Sequence, residues 1–332
     1  MVQTKKLKIG ILGAGALGSL VGAYLSTDHD LTLYGRPNYM GTISKKGLKV
    51  NGFDLDSEKK VQVRAVSELC DEHFDLVFVG VKSYDTENLF NYLDRQRITF
   101  DFVASLQNGL KDGYLISRCG LEKVVGCVVD QAVQITSPGN IYYSNPGSGF
   151  FGTLKKENHP KKIGIAESLA LAFKDRGMVT GVDEEMETIT WYKFMNCVPG
   201  YAIHGAMNFD AAQTFTNPFT VDLLLHAFEE TERVTLAEKV ELKRHPLLPE
   251  IYLTDPERRD EWIKKRAEII SALSNPPVAS LVQDLRRGKI RTEADDTLGV
   301  FLEKARTHEL RTPTISCCYQ MVKAREWINQ HN

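Results

Sequence analysis

The chain has 332 residues, with 41 lysines and arginines, 43 aspartates and glutamates, and a formal net charge of −2. This length exceeds what one hydrophobic core usually holds and predicts two domains, while a near-neutral charge without a basic stripe argues against a nucleic-acid partner. The longest apolar runs fall short of the roughly 18 residues that suggest a membrane span, and the N-terminus lacks the apolar segment of a signal peptide, so we expect a cytoplasmic protein without membrane attachment.

The first predicted element is a buried strand over residues 7–12, followed by a glycine-rich turn and then a helix over residues 16–25. The turn has the spacing GxGxxG, in which Gly13 makes the tight turn, Gly15 lets the backbone approach a pyrophosphate, and Gly18 allows helix and strand to pack closely. The helix N-terminus adds free N–H groups and a positive dipole end. This context predicts a dinucleotide site formed by Gly13, Ala14, Gly15, Ala16, Leu17 and Gly18.

A second strand, predicted over residues 30–34, indicates which dinucleotide binds. It ends in Tyr34-Gly35-Arg36 and carries no acidic residue at its tip, where an NAD enzyme usually has a carboxylate for the ribose hydroxyls. A guanidinium can pair with a 2′-phosphate through two hydrogen bonds. Arg36 therefore favours NADPH, and the alternative is an ordinary solvated surface arginine.

Further strands and helices alternate up to about residue 182. Strands over 74–82 and 102–106 are nearly continuous in apolar residues, which is typical of a parallel, doubly wound sheet in a Rossmann-type α/β domain. Ligands of such sheets bind at the carboxyl ends of the strands. Gly13, Arg36, Lys82 and Asn108 all follow a predicted strand, so we expect them to face one crevice.

From residue 183 onward the alternation stops, and an all-helical domain is predicted over 183–332. Its predicted helices are 184–197, 217–243, 257–274, 278–287, 293–309 and 314–330, with breaks at Pro199-Gly200, His245-Pro246, Asp255-Pro256 and Pro276-Pro277. Amphipathic helices of this kind could pack within the domain or across a homodimer, and the periodicity does not separate the two. Neither a C-x-x-C pair nor an H-E-x-x-H occurs, so no metal site is predicted.

Two segments of the helical domain carry candidate chemistry. Lys193 has mostly apolar and aromatic neighbours in the sequence, and a lysine in such surroundings can act as a general acid. Asn196 lies three residues on, on the same helix face, and can hydrogen-bond a substrate carbonyl or hydroxyl. The alternatives are a snorkelling lysine and, for Thr292-Glu293 near a helix start, mere capping chemistry.

The motifs become more specific when they are considered together and in order. They are GAGALG, Arg36, Lys82, Gln107-Asn108-Gly109, Pro138-Gly139-Asn140, Trp191-x-Lys193, Ser280-x-x-Gln283-Asp284 and Thr292-Glu293. This series resembles the ketopantoate reductase (2-dehydropantoate 2-reductase) family over nearly the whole chain. The resemblance implies an NADPH-binding Rossmann domain, a helical C-terminal domain, and reduction of a 2-oxo acid to a 2-hydroxy acid on the route to pantothenate and coenzyme A.

The resemblance also assigns roles to individual residues. Lys193 matches the catalytic lysine, which polarises the ketone and protonates the developing alkoxide. Glu293 matches the acid that binds the substrate hydroxyl and helps position that lysine, and Ser280 matches the serine that holds the substrate carboxylate. Asn108 matches an asparagine that contacts both nicotinamide ribose and substrate. The further cofactor contacts are Lys82 and Arg36.

Three departures from the family pattern leave the substrate open. The family's lysine is followed by asparagines four and eight positions later, whereas here Asn196 comes three positions on, and the second place falls near Pro199-Gly200-Tyr201. We expect the proline to break or kink this helix and alter one wall of the substrate pocket. Ser280 and Glu293 are one residue farther apart than the pattern has them, and the stretch 241–261 is additional sequence that could be a lid, an interface or a surface excursion.

The sequence therefore supports three hypotheses. The first is an NADPH-dependent ketopantoate reductase. The second is a family member that reduces a different 2-oxo acid or ketone with NADPH. The third is a non-catalytic NADPH-binding regulatory protein, against which the presence of both Lys193 and Glu293 argues, because a sensor has no need of a proton donor.

Overall fold

The structure is a computed structural model that describes residues 6–52, 54–55, 58–145, 147–240, 256–273 and 275–331. Most of the additional stretch 241–261 thus lies outside the described residues. The chain divides into two compact units, Met1–Ile189 (unit 1) and Thr190–Asn332 (unit 2). None of the described helices is both long and apolar enough to cross a membrane. The described residues also contain no group of three or more histidine, cysteine, aspartate or glutamate side chains that could hold a metal ion.

Unit 1 alternates strands and helices along the chain. Its elements are β1 (Lys8–Leu12), α1 (Ala16–Leu25), β2 (Asp30–Tyr34), α2 (Pro37–Lys46), β3 (Leu48–Gly52), β4 (Lys59–Val61), β5 (Arg64–Val66), β6 (His73–Val79), α3 (Thr86–Arg95), β7 (Thr99–Ser105), α4 (Asp112–Cys119), β8 (Gly126–Asp130), β9 (Val133–Ser137), β10 (Asn140–Tyr143), β11 (Ser148–Gly152), α5 (Pro160–Lys174) and β12 (Val179–Asp183). The domain boundary predicted from the sequence, between residues 182 and 183, lies inside β12.

The main sheet of unit 1 has five parallel strands in the order β5-β2-β1-β6-β7. Its central strands are apolar at nearly every position because both faces are covered, and Ile9, Ile11 and Phe78 are completely buried. The chain runs from β1 outward to β2 on one side and later from β6 to β7 on the other. The strand order therefore reverses between β1 and β6, which is where doubly wound sheets bind ligands.

Two smaller sheets complete unit 1. One has the order β4-β3-β10-β9 and the other the order β12-β11-β8, and both mix parallel and antiparallel pairs. Pro138 and Gly139 form the turn that joins β9 to β10, and Gly139 has a positive φ of +78°. Neither of these sheets contributes a strand to the parallel sheet.

Unit 2 is helical throughout the residues that the structure describes. Its helices are α6 (Met186–Met207), which begins in unit 1, α7 (Ala211–Thr216), α8 (Pro218–Ala237), α9 (Pro256–Ser271), α10 (Ser280–Arg286), α11 (Val300–Thr307) and α12 (Pro313–His331). A π-helical turn, Asp295–Gly299, leads into α11. The helix predicted to extend to residue 243 instead ends at Ala237, because Lys239 has a left-handed φ of 59°.

The expected helix break at Pro199-Gly200 is wrong, because α6 continues through Pro199 to Met207. A proline inside a helix removes one backbone hydrogen bond and crowds the carbonyl four residues earlier. Here the flanking Val198, Ala202 and Ile203 are completely buried, so packing of the helix into unit 2 offsets that cost. The helix that carries Lys193 therefore extends nearly three turns farther than the sequence suggested.

Candidate functional site

The glycine turn after β1 has a different steric reason for each glycine. A Cβ on Gly13 would lie 2.4 Å from the Val81 nitrogen, and the φ of Gly13 is +93°. A Cβ on Gly18 would lie 3.0 Å from Ile11 Cγ2, where α1 packs on β1. At Gly15, in contrast, a Cβ would meet nothing within 4 Å. The fold requires a glycine at position 13 and has little room for a side chain at Gly18, whereas Gly15 keeps space clear next to the backbone.

The N-terminus of α1 lies directly beside this clear space. Gly15 is the N-cap residue, no side chain caps the helix, and its first turn contains no acidic residue. The first N–H groups of a helix have no partner within the helix, and they carry the positive end of its dipole. A turn with this open side and this polarity fits the pyrophosphate of a dinucleotide.

The end of β2 carries Arg36. The backbone N–H groups of Gly13 and Ala14 both donate to the Tyr34 carbonyl, at 2.9 and 2.8 Å, which ties the glycine turn to the carboxyl end of β2. Arg36 follows Gly35 at this end, is exposed, and is the N-cap of α2. A guanidinium at this place can pair with a phosphate on the adenosine ribose, and the preference for NADPH stays a prediction.

The ends of β6 and β7 are joined by the buried side chain of Gln107. Its amide nitrogen donates to the Val81 carbonyl at 2.9 Å and to Thr86 Oγ1 at 2.7 Å, while its amide oxygen accepts from the Ser105 hydroxyl at 3.0 Å. Lys82 follows Val81 directly, and Asn108 follows Gln107. The amide thus fixes the two loops that carry the predicted cofactor contacts. The sequence showed Gln107 only as part of a motif and gave no sign of this bridging role.

In unit 2, one face of α6 is less buried than the rest of the helix. Lys193, Asn196, Cys197 and Gly200 are half-buried, and most of the residues between them are buried. Their spacing is that of one helical stripe, which we call the open face of α6. The Asn196 amide nitrogen donates one of its two hydrogens to the Tyr192 carbonyl at 3.3 Å, so the side chain can offer a ligand both an N–H and its amide oxygen.

Next to the open face, a chain of hydrogen bonds connects Tyr201, Ser280 and Glu293. The Ser280 hydroxyl donates to Glu293 Oε2 at 2.8 Å, and the Tyr201 hydroxyl lies 2.8 Å from Ser280 Oγ. A serine hydroxyl has one hydrogen, which is used on Glu293, so Tyr201 is the donor in the second bond. The sequence predicted Ser280 and Glu293 as substrate residues, and the fold brings them together; Tyr201 was named only as part of the expected break.

The segment that carries Glu293 is anchored by α12. Both the backbone N–H and the hydroxyl of Thr292 donate to Glu326 Oε1, at 2.7 and 2.6 Å. Tyr319 and Lys323 bind Asp295 at 2.8 and 3.0 Å. Burial pushes the pKa of Asp295 up, but these two bonds outweigh it, and the pKa lies below its usual value. Glu293, which is only 3% exposed, is thus held by residues far away in the sequence.

A buried histidine, His204, lies farther along α6, four residues after Gly200. The His204 Nδ1 atom lies 2.7 Å from Thr214 Oγ1, whose own hydrogen is donated to the Asp210 carbonyl at 3.1 Å. Burial lowers the pKa of His204 to about 4. The imidazole is therefore neutral near pH 7, and its Nδ1–H donates to Thr214.

Comparison with known proteins gives a consistent result over both units. The family described as Ketopantoate reductase PanE/ApbA matches residues 9–156, and the family described as Ketopantoate reductase PanE/ApbA C terminal matches residues 185–326. The 2-dehydropantoate 2-reductase of Pyrococcus horikoshii is 26% identical over 321 residues, which cover 96% of this chain and 98% of that protein.

Solved structures show the same fold. The PanE/ApbA family ketopantoate reductase of Ralstonia eutropha JMP134 has a TM-score of 0.77 at 23% identity, and the likeness covers 98% of this chain and all of that one. A D-mandelate dehydrogenase, solved with NADH and anilino(oxo)acetate, has a TM-score of 0.77 at 20% identity over 97% of this chain and 99% of that one. At these identities the likenesses establish the fold alone.

Proposed function

The chain belongs to the ketopantoate reductase PanE/ApbA family, and from this premise we propose that it reduces ketopantoate (2-dehydropantoate) to pantoate with NADPH. The reaction would place the protein on the route to pantothenate and coenzyme A. The observation that carries the proposal is the hydrogen bond of 2.8 Å between Ser280 and Glu293. These two residues, which the resemblance assigns to the substrate, are brought together from different elements of unit 2.

The residues of unit 1 fit the cofactor. The open side of Gly15 and the uncapped N-terminus of α1 would hold the pyrophosphate, and Lys82 and Asn108 would contact the remainder. Arg36 would pair with the 2′-phosphate and so select NADPH over NADH. When bound, NADPH supplies a hydride to the carbonyl carbon of the substrate.

The residues of unit 2 would handle the oxygen and the proton. As the new C–H bond forms, the electron pair of the C=O bond moves onto the oxygen, which becomes an alkoxide. The Lys193 ammonium would polarise this oxygen and then give it a proton, and solvent would return the proton to the lysine. Ser280 and Glu293 would orient the substrate, and Asn196 would offer its amide group. A cation at the developing charge stabilises the transition state more than the ground state.

A second candidate is the reduction of a different 2-oxo acid by the same chemistry. It is favoured by the unbroken α6, which fixes the helical register: the positions four and eight residues after Lys193 are Cys197 and Tyr201. A thiol and a phenol thus stand where the family pattern has two amides. One of the structural neighbours is a D-mandelate dehydrogenase, so phenylglyoxylate, the 2-oxo acid related to mandelate, belongs among the compounds to test.

The experiment is to follow NADPH oxidation by the purified protein with ketopantoate, beside phenylglyoxylate and a small panel of other 2-oxo acids and ketones. We expect the highest kcat/KM with ketopantoate. Turnover of another compound with ketopantoate inert would favour the second candidate. Tight NADPH binding without any turnover would contradict both and favour a regulatory protein.

A further inference from the structure

Tyr201 lies on α6, about two turns after Lys193. It lies eight residues after Lys193 and one after Gly200, and it is buried, with 9% exposure. Its hydroxyl lies 2.8 Å from the hydroxyl oxygen of Ser280, which is 79 positions away in the chain. Neither the motif series nor the family pattern gives a role to a tyrosine at this position.

We propose that Tyr201 is a positioning residue for the substrate, which acts by holding the Ser280 hydroxyl in place. The inference rests on the proposed function, because it takes Ser280 and Glu293 as substrate residues. Tyr201 donates to Ser280 Oγ, and Ser280 donates to Glu293 Oε2, each at 2.8 Å. The serine oxygen is thus fixed from two sides, which removes the rotational freedom that a lone hydroxyl would lose on binding a ligand.

The exposure of the three side chains supports the idea that Tyr201 acts on the substrate through Ser280. Tyr201 and Glu293 are buried, whereas Ser280 between them is half-buried and is the group of the three that a ligand reaches most easily. Two buried groups therefore hold one accessible serine oxygen, whose second lone pair can accept a hydrogen bond from the ligand. Because hydrogen bonds in a chain polarise one another, donation from Tyr201 also strengthens the bond that Ser280 donates to Glu293.

The local structure around Ser280 excludes a capping role for its hydroxyl. Ser280 is the first residue of α10, where serine side chains often bind the free N–H groups of their own helix. The N-terminus of α10 has no such side-chain bond, because its N-cap is Ala279 and the Ser280 hydroxyl is directed at Glu293. The serine thus serves neither as a cap nor as a local turn contact.

The test is a double-mutant cycle with Tyr201→Phe and Ser280→Ala, in which KM for the 2-oxo acid, KM for NADPH and kcat are all measured. Phenylalanine keeps the ring and removes only the hydroxyl. We expect Tyr201→Phe to raise KM for the 2-oxo acid about three- to tenfold, the equivalent of one neutral hydrogen bond, with kcat and KM for NADPH nearly unchanged. In the Ser280→Ala background the same change should have no further effect, since the phenol then has no serine to hold.

Tyr92→Phe is the matched control. The Tyr92 hydroxyl accepts the Leu69 N–H at 2.9 Å in unit 1, so this variant loses a comparable bond outside the substrate residues and should keep the KM for the 2-oxo acid. Equal effects of Tyr201→Phe with and without Ser280, or a parallel rise in both KM values, would show that Tyr201 has only a packing role. If Tyr201→Phe does not fold, Tyr201→Leu, which also removes the hydroxyl and keeps an apolar side chain, provides the same cycle.

A wild-type protein that is inactive on every 2-oxo acid would contradict the proposed function together with this inference. An active wild type whose KM does not change in Tyr201→Phe would contradict the inference alone. The two failures are therefore distinguishable in the same set of assays.

Discussion

The two units build their candidate sites in opposite ways. In unit 1 the proposed cofactor residues lie within a few residues of strand ends, and Gly13 and Gly18 of the turn have local steric reasons. In unit 2 the proposed substrate residues come from α6, from the start of α10 and from the segment before α11, and only the tertiary fold joins them. A nucleotide site of the first kind can be inferred from short motifs. A substrate site of the second kind depends on the helical register and on long-range contacts, so it can change while the fold stays the same.

The largest expected effect lies in unit 2. Lys193→Ala removes the proposed proton donor and should lower kcat by about two to four orders of magnitude, with little change in NADPH affinity. Steady-state kinetics and an NADPH fluorescence titration would measure the two quantities. Lys264→Ala, which removes an exposed lysine on α9, is the control and should leave both unchanged. A Lys193→Ala variant with the kcat of the wild type would show that Lys193 is not the proton donor.

The comparison can be sharpened within unit 1 by two alanine substitutions in the same turn. Gly13→Ala places a Cβ 2.4 Å from a backbone nitrogen at a φ of +93° and should lower the free energy of unfolding by about 2–4 kcal/mol. Gly15→Ala places its Cβ in open space and should change that free energy by less than about 0.5 kcal/mol. The same substitution should lower the affinity for NADPH at least about tenfold, because the added methyl group occupies the space proposed for the pyrophosphate. Chemical denaturation and NADPH titration would test the pair. Equal loss of stability in both variants would contradict the distinction.

Arg36→Ala tests the cofactor choice, which is the part of unit 1 that depends on one exposed side chain. We expect KM for NADPH to rise about ten- to a hundredfold, the range of charged hydrogen bonds to a phosphate, and KM for NADH to change little. Lys46→Ala, in the last turn of α2, removes a positive charge from the same helix and provides the control. An equal rise of KM for NADPH and for NADH in Arg36→Ala would show that Arg36 does not bind the 2′-phosphate.

The smallest predicted effect concerns the stability of unit 2 in acid. Burial lowers the pKa of His204 to about 4 from the usual 6.5, so between these values the unfolded chain binds a proton that the folded chain does not. Stability is therefore fully present above about pH 6.5 and falls as the pH drops towards 4, by about 2 kcal/mol at pH 5.

The three tryptophans of the chain, Trp191, Trp262 and Trp327, all belong to unit 2, so their fluorescence follows its unfolding. Urea unfolding at pH 7 and pH 5 would measure the loss. In His204→Asn, which keeps a donor for Thr214, the loss between the two pH values should be about 2 kcal/mol smaller than in the wild type. An equal loss in both proteins would show that His204 does not carry the pH dependence.

The difference between the units also determines which features could be predicted from the sequence. The parallel sheet, the glycine turn and the helical second part followed from local patterns, because continuous apolar strands and a GxGxxG turn between strand and helix are compatible with few folds. The continuation of α6 through Pro199 did not, since burial of the flanking residues overrides the intrinsic cost of proline. For the same reason Tyr201 could not be recognised: its contact with Ser280 depends on that continuation and on the placement of α10. The bridging amide of Gln107 likewise depends on tertiary contacts.

The most direct test of the proposed reaction is the fate of the hydride. The wild-type protein would be incubated with ketopantoate and NADPH carrying deuterium at both C4 positions, and the product would be analysed by NMR and mass spectrometry. We predict pantoate with one deuterium bound to C2, formed in the same amount as NADPH is consumed. NADPH oxidation without labelled pantoate, or pantoate without deuterium at C2, would contradict the proposed hydride transfer.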